Sequence, residues 1–250
     1  MKRFVISDSH GGYKALVQCL ERSGFDAAQD QLIFIGDVVD GWSQTKESIA
    51  LLLSLKHLVY LLGNHDQWAL EYYTGKLDDN GSVLRSWLWQ GGAATIESYG
   101  LGKPMPPEQL NLLQNAKLYL VTEDNILFVH AGFDTRKPVE STDAYTLLWS
   151  RDFIESNYLQ YTQHKTIHIS RYKEVYIGHT PTIALNKHQK KPLHMGNLTL
   201  MDTGAAFTGC LSIMDIDSKE VWQSDPVMTL YPDEPGRNGI SWNDSKNLEV

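Results

Sequence analysis

Five short apolar runs end in residues that bind metals, and this repetition constrains the chain more than any other feature. Leu32–Ile35 leads into Gly36-Asp37-Val38-Val39-Asp40-Gly41, and Val5-Ile6 leads to Asp8 and His10. Leu58–Leu62 leads into Gly63-Asn64-His65-Asp66, Leu127–Val129 into His130, and Val175–Ile177 into Gly178-His179. A short apolar run closed by a glycine or a turn residue reads as a strand buried on both faces. In open α/β sheets the crevice beyond the carboxyl ends of the strands is where ligands sit. Each acid or imidazole alone has an ordinary explanation as a capped turn. Five strand ends that all deliver Asp, His or Asn point to a metal centre.

The order of elements supports a layered fold. A strand over Arg3–Ser7 is followed by a helix over 13–22, a strand over Leu32–Ile35, a helix over 44–54 with Ser43 at its cap, and a strand over Leu58–Leu62. With right-handed crossovers this alternation makes a parallel sheet. Residues 69–100 read as an inserted helical cap rich in Trp and Tyr. Its aromatics suit a local core, with one or two free to stack on a base. Strands then follow at 118–122, 125–129, 173–177, 198–202, 210–216 and 220–223. The first two and the last two form hairpins, which implies a second sheet packed on the first. Residues 1–231 are thus expected to form one domain. The polar stretch 232–250 is expected to be a tail, either a surface wrap or partly disordered, and not a domain.

Composition narrows the function. The chain has 250 residues and a formal net charge of -8. That argues against long nucleic acids, which need a basic footprint, but leaves room for a phosphorylated substrate held through a cation. The 2 cysteines, Cys19 and Cys210, have no zinc or disulfide spacing. An acid arrives too early in the first residues for a secretion signal, and no apolar run is long enough to span a bilayer. The expectation is a cytoplasmic protein without a membrane partner.

The candidate ligands are Asp8, His10, Asp37, Asn64, His130 and His179. Mixed oxygen and nitrogen donors suit manganese, iron or zinc better than magnesium or calcium. Asp37 is placed to bridge two ions, because a shared carboxylate holds two cations together against their repulsion. His65 follows a ligand and so points elsewhere, toward a leaving group. Asp40 is its natural orienting carboxylate.

These segments resemble the calcineurin-like metallophosphoesterases. The shared stretches are Asp8-Ser9-His10, Gly36-Asp37-Val38-Val39-Asp40, Gly63-Asn64-His65-Asp66, Val129-His130-Ala131-Gly132, Leu148-Trp149-Ser150-Arg151 and Gly178-His179-Thr180-Pro181. The likeness is greatest to the phosphoprotein phosphatase branch, including small bacterial and bacteriophage enzymes. It implies a four-layer α/β/β/α sandwich and two divalent ions, manganese first. Asp8, His10 and Asp37 would hold one ion, and Asp37, Asn64, His130 and His179 the other. His65 with Asp40 would form the acid pair, and Arg151 would grip the substrate phosphate.

One departure stands out. Protein-phosphatase members place an arginine after Gly-Asp-x-x-Asp, where this chain has Gly41. A bidentate guanidinium-phosphate clamp is expected to be lost there, with Arg171 and Lys173 as candidate substitutes. The resemblance implies hydrolysis of phosphate monoesters of the Ser/Thr protein phosphatase type by a hydroxide bridging the ions. The alternatives are a symmetrical dinucleoside tetraphosphatase and a phosphodiesterase. The partners are then a phosphorylated small molecule, peptide or protein, or a nucleotide.

Overall fold

The computed structural model describes residues 1–77, 81–169 and 171–238. Its centre is a pair of five-stranded mixed sheets. The first contains β1 (Arg3–Ile6), β2 (Gln31–Phe34), β3 (His57–Tyr60), and the later strands β9 (Ser212–Asp215) and β10 (Val221–Gln223). Its order is β10-β9-β1-β2-β3. The pairs β1–β2 and β2–β3 are parallel, as the alternation of strands and helices predicts, and β9–β10 is an antiparallel hairpin. The second sheet contains β4 (Tyr119–Val121), β5 (Ile126–Val129), β6 (Glu174–Ile177), β7 (Leu193–Met195) and β8 (Leu198–Leu200), in the order β4-β5-β6-β8-β7. Within it β5, β6 and β8 run parallel.

The period of two along each strand sorts residues into separate cores. Phe4, Ile6, Leu32, Phe34 and Ile213 face α1 (Tyr13–Ser23) and α2 (Thr45–Leu53). Their neighbours Val5, Ile33, Ile35 and Met214 turn the other way, into a seam shared with Ile126, Phe128 and Tyr176 of the second sheet. Leu127, Val129, Val175 and Ile177 face outward again, onto Leu147, Phe153 and Ile154 of two later helices. Three apolar clusters therefore mark the three interfaces of an α/β/β/α sandwich. The runs look continuously apolar because both faces of each strand are covered.

One local expectation fails, and one strand was not foreseen. Ser43 does not cap α2: the helix starts at Thr45, and both the N–H and the hydroxyl of Ser43 donate to Glu234 instead, at 2.9 and 2.7 Å. The edge strand β7 has no strong sequence signal, being three residues long with His194 exposed. Among the described residues no helix is long and apolar enough to cross a membrane.

Candidate metal centre

Because β1, β2 and β3 are parallel, as are β5, β6 and β8, their following loops gather at one end of both sheets. Asp8 and His10 follow β1, Asp37 and Asp40 follow β2, and Asn64 and His65 open α3 (Asn64–Tyr73) after β3. His130 follows β5 and His179 follows β6. All eight are at least nine-tenths buried. Backbone bonds lace the loops together: Asp8 N–H donates to Gly36 O, His10 N–H to Asp37 O, and Gly178 N–H to His130 O.

The loops are tighter than ordinary turns. Asp8, His10, Asp37, Asp40 and His179 all have positive φ, from 44° to 69°. Asp and His tolerate this left-handed region better than most residues, and such conformations concentrate where the surroundings over-determine them. Glycines permit the close approach. A Cβ on Gly63 would lie 2.0 Å from Asp37 Oδ1, and one on Gly178 2.2 Å from Asp8 Oδ2.

Two groups of side chains converge. Asp8, His10 and Asp37 form one, and Asp37, His130 and His179 the other, each with its ligating atoms within 4.8 Å of one another. Asp37 belongs to both. Asn64 Oδ1 lies 3.0 Å from His130 Nε2 and 2.8 Å from His179 Nδ1. The far nitrogen of each ring meets a main-chain carbonyl: His10 Nδ1 at Val39, His130 Nδ1 at Ile35 and His179 Nε2 at Trp149. Such bonds fix the tautomer and turn the other nitrogen's lone pair inward. The other nitrogens of His130 and His179 face Asn64 Oδ1, and those of His10 and His130 face Asp37, so nitrogen and oxygen donors converge on the same space. The donor set fits divalent ions.

Electrostatics agree. Burial, reinforced by the charges of Asp202 and Asp37, raises the Asp8 carboxyl well above its usual range. Burial also opposes ionisation of Asp37, yet His130, by its charge first and by its hydrogen bond, holds it well below. Burial and the charge of Arg237 push His10 down to about 3. Asp202, buried next to the cluster, is pushed up to about 6, chiefly by burial. Buried acids that raise one another favour an added positive charge.

His65 and Asp40 meet directly, with Nδ1 2.6 Å from Oδ2. Asp40 is fully buried and also accepts from Trp87 Nε1 at 2.8 Å and from the Thr95 hydroxyl at 2.7 Å. Burial pushes Asp40 up and His65 down, so charge on either partner is opposed. The edge of Trp68 meets the His65 ring at 5.3 Å. Arg151 stands at the start of a later helix, Asp152–His164, and its charge helps to hold His179 below its ordinary value, after burial. Arg171 and Lys173 are not at the site. They precede β6, at the end opposite His179, and Lys173 pairs with Asp124 at 3.9 Å.

Several residues escaped sequence reasoning. Asp66 is legible as a cap of α3, which it is through the Gly63 N–H, but not as the tie between two site loops that it makes by also accepting from the N–H groups of Asp37 and Val38 and from the Tyr60 hydroxyl, at 2.8 to 3.0 Å. Trp87 and Thr95 hold Asp40 from the helical segment. The small run Gly91-Gly92-Ala93-Ala94 was the available signal for that contact, since a Cβ on Gly91 would lie 2.6 Å from Gly41 N. Arg237 was missed altogether. Its only forewarning was the arginine absent from position 41.

Two metal-binding clusters with a shared carboxylate, set at the strand ends of an α/β/β/α sandwich, define a metal-dependent phosphoesterase. The comparisons agree. The chain belongs to the calcineurin-like phosphoesterase family, whose profile matches residues 1–196. It is 25% identical to a serine/threonine-protein phosphatase 1 of Salmonella typhimurium, over 85% of this chain and 91% of the relative. A shorter stretch of 67 residues is 45% identical to a symmetrical bis(5'-nucleosyl)-tetraphosphatase of Xanthomonas campestris, covering 26% of this chain and 21% of the relative. Among solved structures, one described as a putative diadenosine tetraphosphatase superposes with a TM-score of 0.62 at 15% identity, over 89% of this chain and 92% of that one. At that identity the likeness concerns the fold.

Proposed function

We propose that the protein hydrolyses the phosphoric anhydride chain of dinucleoside polyphosphates, cleaving a tetraphosphate symmetrically. The observation that carries this reading is the 67-residue stretch 45% identical to a symmetrical tetraphosphatase. A second reading, hydrolysis of phosphoserine or phosphothreonine monoesters, is favoured by the likeness to a protein phosphatase along 91% of that relative's length. The bond broken is P–O in both cases.

Asp8, His10 and Asp37 would hold one divalent ion, and Asp37, Asn64, His130 and His179 a second, with manganese first among the candidates. Bound there, the ions neutralise phosphate charge and acidify water near neutral pH. Asp66 sets the loop that carries Asp37. Arg151 binds phosphoryl oxygens from the His179 side. Asp40 orients His65, and His65 donates a proton to the oxygen that leaves phosphorus as water's oxygen bonds to it.

Leaving groups separate the two readings. An alkoxide from a serine ester needs its proton during bond cleavage, whereas a nucleotide phosphate leaves as a stable anion. Manganese-loaded protein offered diadenosine tetraphosphate, a phosphoserine peptide and an aryl phosphate side by side is expected to prefer the dinucleotide and release only the diphosphate. His65→Asn is then expected to cost the dinucleotide reaction far less than the roughly 10²–10⁴-fold typical of losing a general acid. Preference for the peptide, with a full-size His65→Asn effect, would move the assignment to the monoesterase.

A further inference from the structure

After the short helix Val227–Leu230, the chain crosses the surface and returns to the metal centre. Tyr231 stacks on Trp42 at 5.3 Å, and its hydroxyl donates to Gln44 Oε1 at 2.8 Å. Glu234 accepts both donors of Ser43. Gly236 lies against the Trp42 ring, where a Cβ would come within 2.5 Å, and Arg237 N–H donates to Ala206 O at 2.9 Å. These contacts make residues 231–237 a strap latched over Trp42, the residue next to Gly41.

The strap delivers one side chain inward. Arg237 is only 7% exposed. Its Cγ lies 3.2 Å from where a Cβ of Gly41 would be, and His10 Cβ lines the same notch at 3.5 Å. Gly41 has φ of +107°, a backbone that side chains rarely adopt. The notch is thus open to a side chain from elsewhere, and Arg237 fills it. One guanidinium nitrogen, Nη2, donates to Gln90 Oε1 at 2.9 Å, while the buried Nε has no hydrogen-bond partner among the described residues. No carboxylate among them lies within 4 Å of the guanidinium to form an ion pair with it. The acids whose charge acts on it most, Asp37 and Asp40, are committed to the metal donors and to His65. A buried guanidinium without a close counter-ion is costly, and its planar fork matches phosphoryl oxygens.

We propose that Arg237 is a substrate-binding residue that clamps a phosphoryl group at the metal centre, carried there by the C-terminal strap through the notch at Gly41. This rests on the phosphoesterase reading and deepens it. The site would grip phosphate from two sides, with Arg151 on one and Arg237 on the other. The arginine missing from the Gly-Asp-x-x-Asp loop is supplied from a remote part of the chain.

The test uses full-length, metal-loaded protein with inorganic phosphate as the probe, read by calorimetry alongside metal content and steady-state hydrolysis of an aryl phosphate. Arg237→Ala is expected to weaken phosphate binding by about 10- to 100-fold, the scale of one or two charge-assisted hydrogen bonds, with both ions retained. Added guanidinium should restore part of the loss in this variant and do nothing for the wild type. Arg237→Lys should fall between. Glu234→Ala, which unlatches the strap and leaves the arginine, should weaken phosphate by a smaller factor. Phosphate affinity unchanged in Arg237→Ala, or lost only in step with the metals, would overturn the proposal. Wild-type protein that holds two ions yet neither binds phosphate nor turns over substrate would overturn the phosphoesterase reading along with it.

Discussion

The two ends of the sandwich solve opposite electrostatic problems with the same kinds of residue. At the end described above, acids and imidazoles are buried and crowded, and the charge of Asp202 helps raise Asp8. At the other end, Arg3 at the start of β1 reaches Asp124 in the β4–β5 turn at 3.0 Å and Asp217 in the β9–β10 turn at 2.6 Å. Lys219 there contacts Glu174 and the Tyr176 hydroxyl. Both ends join one sheet to the other through polar groups. With Lys173 also on Asp124, the far end balances three cations against three acids and is more open to water. The near end has acids to spare and little solvent, so it depends on cations from outside.

The largest expected effect of breaking this contrast lies at the shared ligand. Asp37→Asn should lower kcat/KM by at least ~10³-fold, since charge stabilisation by both ions depends on it, and elemental analysis should find bound metal depleted. Asp8→Asn sharpens the point through stability. Each ion should add about 2.7 kcal/mol to the wild type at a hundredfold excess over Kd. The variant should lose much of that gain while melting no lower, or higher, than wild type once both are stripped. A stripped variant that melts well below stripped wild type would mean that the acids are not mutually repelling.

A smaller effect is expected one layer out. Trp87→Phe keeps the aromatic packing and removes one of the donors to Asp40. On a phosphoserine peptide, whose leaving oxygen needs the proton, it should reduce kcat by about 10-fold, the lower range for a residue that orients another, with metal content and KM nearly unchanged. A change confined to KM would place Trp87 in substrate binding instead.

The smallest effect belongs to the far end. Arg3→Ala should cost less than about 1 kcal/mol, because exposed ion pairs are screened, and should leave activity intact. Hydrogen bonds from Arg3 hold Asp124 and Asp217 below the usual carboxylate range. A depressed carboxylate adds stability above its unfolded value, and that stability disappears as pH falls through the folded one. The difference in melting temperature between Arg3→Ala and wild type should therefore be present at neutral pH and vanish in strong acid. A difference that grows on acidification would contradict the pairing.

Much of this architecture is legible in the sequence because it is local. A strand buried on both faces is a run of apolar letters, and a ligand at its end is the next polar one, as in Ile35-Gly36-Asp37. The resemblance to a known family then orders those ends into one site. What stays hidden is long-range and aperiodic. Nothing in Ala94-Thr95-Ile96 says that this hydroxyl will reach Asp40. Ser43 looks like a cap until Glu234, far along the chain, competes for it. Arg237 lies in a polar stretch of prolines and glycines with no repeating pattern, so only the fold brings it to Gly41. The same holds for Asp66, whose role as a hub depends on two loops meeting.

The metal donors also divide between the sheets. Asp8, His10, Asp37 and Asn64 ride on the first, and His130 and His179 on the second. An ion held by Asp37, Asn64, His130 and His179 would act as a rivet across the seam that Phe128 and Tyr176 line from the second sheet. The distance from that ion to the one held by the first sheet alone then becomes a gauge of how the two sheets slide on each other. A methyl group added or lost deep in that seam would be read out as chemistry at its rim.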